Sequence, residues 1–196
     1  MYEFQQTWGG QITELKLGDN VKDDCQENIV NILKYAINEV GVNHIETANM
    51  YGSSEIQLGD VFQKLFKSGI KREDVIIQTK AQPMAAAEFR KPLEDSFQKL
   101  RLEYVDLLSF HELNYYKHYD EIFNNIDGEN LMDIAQKYVK AGKVRNIGFL
   151  LMGNLNLLGS ALRVMPFLMQ TSTCTHLEVT QHRVEDSLEV ISRMQD

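Results

Sequence analysis

The chain has 196 residues, 43% of them apolar, which is enough for one sizeable core and within the range of a single domain. Its 28 acidic and 20 basic residues give a net charge of −8, and the basic residues are scattered, so no nucleic-acid partner is expected. Cys25 and Cys174 lie outside any C-x-x-C, there is no apolar run of about 18 residues and the N-terminus has no leader pattern, so disulfides, iron–sulfur clusters and membrane partners are not expected and the cytoplasm is the expected location.

The first element is a helix with a D-x-x-E cap at Asp24 and Glu27. Its apolar positions are Ile29, Ile32, Leu33, Ala36, Ile37 and Val40, and Gly41 ends it. Val42 to Ala48 reads as a strand. Ser54 and Gln57 then form a capping box for a helix with Leu58, Val61, Phe62, Leu65 and Phe66 on one face. The unit repeats with a strand from Val75 to Lys80 and a helix through Phe89, Leu93, Phe97 and Leu100, in which Pro92 is a candidate kink. Tyr104 to Phe110 is the third strand. A polar loop rich in Tyr and Asn leads to a helix with Leu131, Ile134, Ala135, Tyr138 and Val139 on its apolar face, stopped by Gly142, and the fourth strand runs from Val144 to Leu150. Later segments are a helix over Leu155 to Val164, a strand over Phe167 to Thr173 and an amphipathic helix over Val184 to Met194. Alternating strands and helices predict an α/β fold around a parallel sheet.

In such folds functional side chains collect where strands end. Glu46 and Tyr51 close or follow the first strand, Lys80 closes the second and His111 the third. Each has a plainer reading alone. Tyr51-Gly52 is a turn before a helix, Lys80 a solvated lysine, His111 a hydrogen-bonded structural histidine and Glu46 an ordinary ion-pair partner. Their common register favours a site. His44-x-Glu46 lacks the P-C-x-x-C that completes one type of zinc site, and His118, His176 and His182 show no ligand spacing, so no metal is expected.

Four motifs occur in order: Ile45-Glu46-Thr47-Ala48 with Tyr51-Gly52-x-Ser54-Glu55 and Gly59; Gln78-Thr79-Lys80; Leu102 to Leu108 with His111; and Gly142-Lys143-Val144-Arg145-Asn146-Ile147-Gly148. Together they resemble the aldo-keto reductases, most nearly a branch with a ferredoxin-like C-terminal extension for which this sequence has no counterpart. The resemblance covers about residues 26–150, with 154–196 divergent, and treats 1–196 as one domain. It implies a (β/α)8 TIM barrel, incomplete or shortened here, and hydride transfer between NADP(H) and a small-molecule carbonyl or alcohol. By the same resemblance Tyr51 is the general acid, assisted by Lys80 and His111, with Glu46 holding Lys80, while Gly148 and Gln170 contact the cofactor. Since a free phenol ionises near pH ~10, such an acid needs a cation beside it.

The chain departs from the family pattern in two ways. Glu46 stands where the family has Asp, and Phe149-Leu150-Leu151-Met152 replaces the polar side chains that hold the nicotinamide amide. Two alternatives therefore stay open. One is a catalytically impaired remnant acting as a binding or interaction protein, self-associating through open barrel edges. The other is cofactor-independent proton removal by Lys80 or His111.

Overall fold

The computed structural model describes residues 23–124 and 128–150, with the side chains of Asp23 and Asp24 excepted. Helix α1 (Asp23–Tyr35) runs into a π-helical turn at Ala36–Val40. Gly41, in the left-handed region at φ 79°, closes that turn by donating its N–H to the Ala36 carbonyl. β1 (His44–Glu46) precedes α2 (Ser54–Lys67), β2 (Ile76–Ala81) precedes α3 (Ala86–Leu100), and β3 (Val105–Phe110) precedes α4 (Tyr116–Phe123) and α5 (Leu131–Lys140). β4 (Val144–Phe149) completes the described chain. No described helix is long and apolar enough to cross a membrane.

Among the described residues the strands form one parallel sheet in the order β1-β2-β3-β4, so the expected α/β architecture is observed. Alternation along each strand gives the sheet two chemically different faces. Ile77, Ala81, Leu108, Phe110, Ile147 and Phe149 join Phe62 and Leu65 of α2, Phe89 and Leu93 of α3, and Ile134 and Ala135 of α5 in the hydrophobic core. Phe89 stacks on Phe110 with ring centroids 5.7 Å apart. The opposite face is polar. Glu46, Gln78, Leu107 and Asn146 share one row across the strands, and Lys80, Ser109 and Gly148 share the next row towards the strand ends.

The amino ends of the strands are clasped by charge. Asp106 accepts from the Ile77 backbone N–H at 2.9 Å and pairs with Arg72 at 2.7 Å and Arg145 at 2.9 Å. Both guanidiniums also lie over the Tyr104 ring, at 4.0 and 4.3 Å. This charged cluster ties β2, β3 and β4 together at the amino ends of the strands.

The structure departs from several sequence expectations. Regular pairing in β1 covers His44 to Glu46 and not Val42 to Ala48, although Thr47 and Asn49 still donate backbone N–H groups to the Gln78 and Lys80 carbonyls. Ser53, not Ser54, occupies the cap position of α2. Gln57 reaches the Ser53 hydroxyl at 2.9 Å, while Ser54 is paired with the Thr47 hydroxyl at 2.8 Å, so no capping box forms. Ile32 was expected on the buried stripe of α1 but is 55% exposed. The Tyr- and Asn-rich loop contains α4, with Ile122 buried in the core. Pro92 lies inside α3 and the helix continues through it. The elements expected after residue 150, together with Gln170, Cys174, His176 and His182, fall outside the described residues.

Candidate active site

β1 and β2 are neighbours in register, so their inward side chains Glu46 and Lys80 rise from adjacent strands at successive rows. Lys80 is fully buried. Its ammonium meets the Glu46 carboxylate at 2.6 Å and donates to the Thr47 carbonyl at 3.1 Å. These contacts offset the cost of keeping a charge out of water. The third contact of Lys80 Nζ is the Tyr51 hydroxyl at 3.3 Å, with the ammonium 4.7 Å from the Tyr51 ring centroid.

Tyr51 is delivered by the turn between β1 and α2. Its N–H bonds the Ala48 carbonyl at 3.0 Å, and its own carbonyl accepts from Ser54 at 2.9 Å. Gly52 follows in the left-handed region at φ 56°, which lets the chain turn directly into α2. Tyr51 is 46% exposed, so one side of its ring faces Lys80 while the other meets solvent. His111 follows β3, tied to β2 by its N–H to the Ala81 carbonyl at 2.8 Å. Its ring lies edge-on to Tyr51 with centroids 5.4 Å apart. Burial first, and the Lys80 charge second, push its pKa below the ordinary histidine value of 6.5, with Glu46 opposing them. His111 Nδ1 is buried with no partner among the described residues.

The four side chains named from the sequence therefore meet at the carboxyl ends of three strands. Burial also removes the reading of Lys80 as a solvated lysine. Gly148 lies on β4 opposite Ser109, in the same row as Lys80. Beyond it Phe149 and Leu150 are both buried. Sequence reasoning did not single out the Thr47 carbonyl or the hydroxyl of Ser109, which accepts from Gln78 Nε2 at 2.9 Å. Strand register would have found Ser109, which pairs with Lys80 across β2 and β3. No group of three or more His, Cys, Asp or Glu side chains among the described residues is arranged to hold a metal.

The sequence profile of the Aldo/keto reductase family matches residues 15–185. The chain belongs to this family. Prostaglandin F synthase 1 of Bos taurus is 32% identical over 128 residues, covering 59% of this chain and 39% of that protein. The NADP-dependent D-sorbitol-6-phosphate dehydrogenase of Malus domestica is 28% identical over 142 residues, covering 65% and 44%. The chain thus spans about two-fifths of the length of the curated relatives it matches. Among solved structures, an aldo/keto reductase from Brucella melitensis superposes with a TM-score of 0.59 at 20% identity, covering 87% of this chain and 61% of that one, a likeness of fold alone. An aldo-keto reductase complexed with NADPH gives a TM-score of 0.54 at 27% identity, covering 70% and 42%. With these reductase folds as neighbours, the described four-stranded parallel sheet is part of an incomplete barrel. The family match extends to either side of the motif-bearing stretch 26–150.

Proposed function

We propose that this chain carries the reducing centre of an NADP(H)-dependent aldo-keto reductase acting on a small-molecule carbonyl. The observation that carries this reading is the fully buried Lys80 ammonium, fixed by Glu46 at 2.6 Å and directed at the Tyr51 hydroxyl at 3.3 Å. The described residues suit the reacting end of a nicotinamide cofactor, because Tyr51, a proton donor 46% exposed, stands against the buried Lys80 ammonium, while two strands away in the same row Gly148 carries no side chain. By family resemblance, Gly148 and Gln170 are the positions that would hold it. When bound, the cofactor supplies a hydride to the carbonyl carbon.

The chain's own residues supply the proton. Lys80 donates to a lone pair of the Tyr51 oxygen, so the phenolic O–H is directed elsewhere, towards the exposed side where a carbonyl oxygen can accept it. As the carbon–oxygen double bond opens, that oxygen takes the Tyr51 proton and becomes an alcohol. The ammonium 3.3 Å away stabilises the phenolate left behind. Glu46 keeps Lys80 in place, and the Thr47 carbonyl limits the directions in which the ammonium can point. His111, held neutral by burial and by Lys80, offers an N–H to orient the carbonyl without adding a second positive charge. The solvent-facing side of Tyr51 is the route by which the phenolate regains its proton.

Calorimetric titration of NADPH and NADH into wild type and Tyr51→Phe, paired with NADPH oxidation in the presence of aldehydes, tests this proposal. Tyr51→Phe should lower kcat by about 10²- to 10⁴-fold, the range for loss of a general acid, while still binding NADPH. A folded wild-type chain that binds no nicotinamide at millimolar cofactor sinks the reading.

One observation favours the second reading, of a reductase remnant that binds without turnover. The buried, apolar Phe149 and Leu150, at and just after the end of β4, stand where an amide-holding side chain is expected. NADPH binding without oxidation, together with a dimeric mass by light scattering, would support it, since β1 and β4 each have one strand partner among the described residues.

A further inference from the structure

A second group of buried polar side chains lies behind the candidate site, where α2 and α3 pack on β1 and β2. Thr47, Glu55, Thr79 and Ser96 are each about 1% exposed or less. Thr79 Oγ1 donates to Glu55 Oε1 at 2.6 Å. Glu55 Oε2 is buried without a partner among the described residues. Asn49 Nδ2 donates to the Pro92 carbonyl at 3.0 Å and to Ser96 Oγ at 3.1 Å, and Ser96 Oγ donates to the same carbonyl at 3.1 Å. The hydroxyls of Thr47 and Ser54 pair at 2.8 Å.

This group reaches both members of the reacting pair from behind. Thr79 immediately precedes Lys80 on β2, and Asn49 donates its backbone N–H to the Lys80 carbonyl at 3.0 Å. Glu55 sits in the first turn of α2 directly after Ser54, which donates its N–H to the Tyr51 carbonyl at 2.9 Å. The Glu55 to Thr79 bond therefore ties the segment carrying Tyr51 to the strand carrying Lys80. We propose that Glu55 is a positioning residue for the Tyr51–Lys80 pair, bracing the Tyr51 turn and α2 against β2 so that the phenol stays within reach of the ammonium. This inference rests on the reducing role given to that pair above.

The chemistry of the brace suits a neutral carboxylic acid. Burial raises the Glu55 pKa from its ordinary 4.5, outweighing the Thr79 hydrogen bond, the nearby polar groups of Ser96 and Asn49 and the Lys99 charge. A neutral acid still accepts from Thr79 and avoids leaving an ionised, unpaired oxygen in the core. Gln at position 55 has the same length and can accept the same hydrogen bond. Ala has neither property.

The test follows Glu55→Ala, Glu55→Gln, Thr79→Val and the Glu55→Ala/Thr79→Val double variant by two readouts. The first is steady-state kinetics with NADPH. The second is the NMR resonance of the Tyr51 ring carbon bearing the hydroxyl, labelled with 13C and assigned through Tyr51→Phe. Glu55→Ala and Thr79→Val should shift that resonance and lower kcat by about 10- to 100-fold, the scale of a small misplacement of reacting groups, with the NADPH KM unchanged. The double variant should lose no more than either single one, because both remove the same brace. Glu55→Gln should restore both readouts. A folded Glu55→Ala, or a folded Thr79→Val should Glu55→Ala fail to fold, that leaves the Tyr51 resonance in place overturns the inference. The resonance decides the matter even if wild type oxidises no NADPH, so failure of the reducing function is separable from failure of the brace.

Discussion

Lys80 and Glu46 form one ion pair with unequal surroundings. The lysine is fully buried, whereas the Glu46 side chain is 32% exposed on the first strand of the sheet. Removing either charge therefore has different consequences. Lys80→Met leaves a carboxylate that can turn to water, but Glu46→Gln leaves a buried ammonium whose remaining partners are neutral oxygens. Glu46→Gln should destabilise the fold by about 3 kcal/mol or more, the range for an orphaned buried charge, and Lys80→Met by less. Urea unfolding of the two variants checks this order. The extra methylene of Glu relative to Asp does not prevent the contact, which is made at 2.6 Å. At this scale, the meeting of Tyr51, Lys80 and His111 was legible in the sequence because each follows or ends a strand of a parallel sheet, where direction is set by topology. Glu55 was not legible as a buried group. Its environment is assembled from β2, α3 and the Asn49 turn, and a glutamate one residue inside a helix otherwise reads as a solvated charge near the positive end of the dipole.

At the scale of elements, close approach and capping decide where the helices sit. A Cβ on Gly59 would lie 2.0 Å from the Lys99 carbonyl oxygen, so α2 and α3 touch through the missing side chain. Gly59→Ala should cost at least about 1–3 kcal/mol, as overpacked interiors do, visible as a lowered urea midpoint with little change in slope. Asn130 caps α5 by accepting the Asp133 N–H at 2.7 Å, so Asn130→Ala should cost about 1 kcal/mol in the same measurement. α5 is also fastened to α3. Tyr138 donates to Glu94 at 2.7 Å, and burial, followed by this carboxylate, pushes its pKa to about 12. Gly59 was marked in the sequence as part of a motif, but its reason lies in a neighbouring helix. The period of the apolar residues revealed α1, α2, α3 and α5. It missed α4, whose eight residues fully bury only Ile122, with Tyr119 and Phe123 partly buried against the core among polar and charged side chains.

For the whole molecule, two groups give stability opposite dependences on pH. Glu55 has a raised pKa in the native state, so the native chain retains a proton that the unfolded chain releases. Its contribution is present below about pH 4.5 and is lost as pH rises through the native value. His111 has a lowered pKa, so its contribution is present above about pH 6.5 and is lost as pH falls through the native value. The stability of Glu55→Gln relative to wild type should therefore increase as pH rises above about 4.5 and level off once pH passes the native pKa of Glu55. His111→Asn should flatten the loss of stability on the acid side. Urea titrations at several pH values measure both, and a difference between wild type and Glu55→Gln that does not vary with pH would refute the first expectation.

The order β1-β2-β3-β4 has a further consequence for how the molecule comes into being. Each described strand after β1 hydrogen-bonds to the strand made just before it. A growing polypeptide can thus extend the sheet unit by unit as it leaves the ribosome, without holding an early strand idle for a distant partner. Glu46, Tyr51 and Lys80 come from the first two described strand–helix units, so the Glu46–Lys80 ion pair and the phenol beside it can assemble while the next unit is still being synthesised.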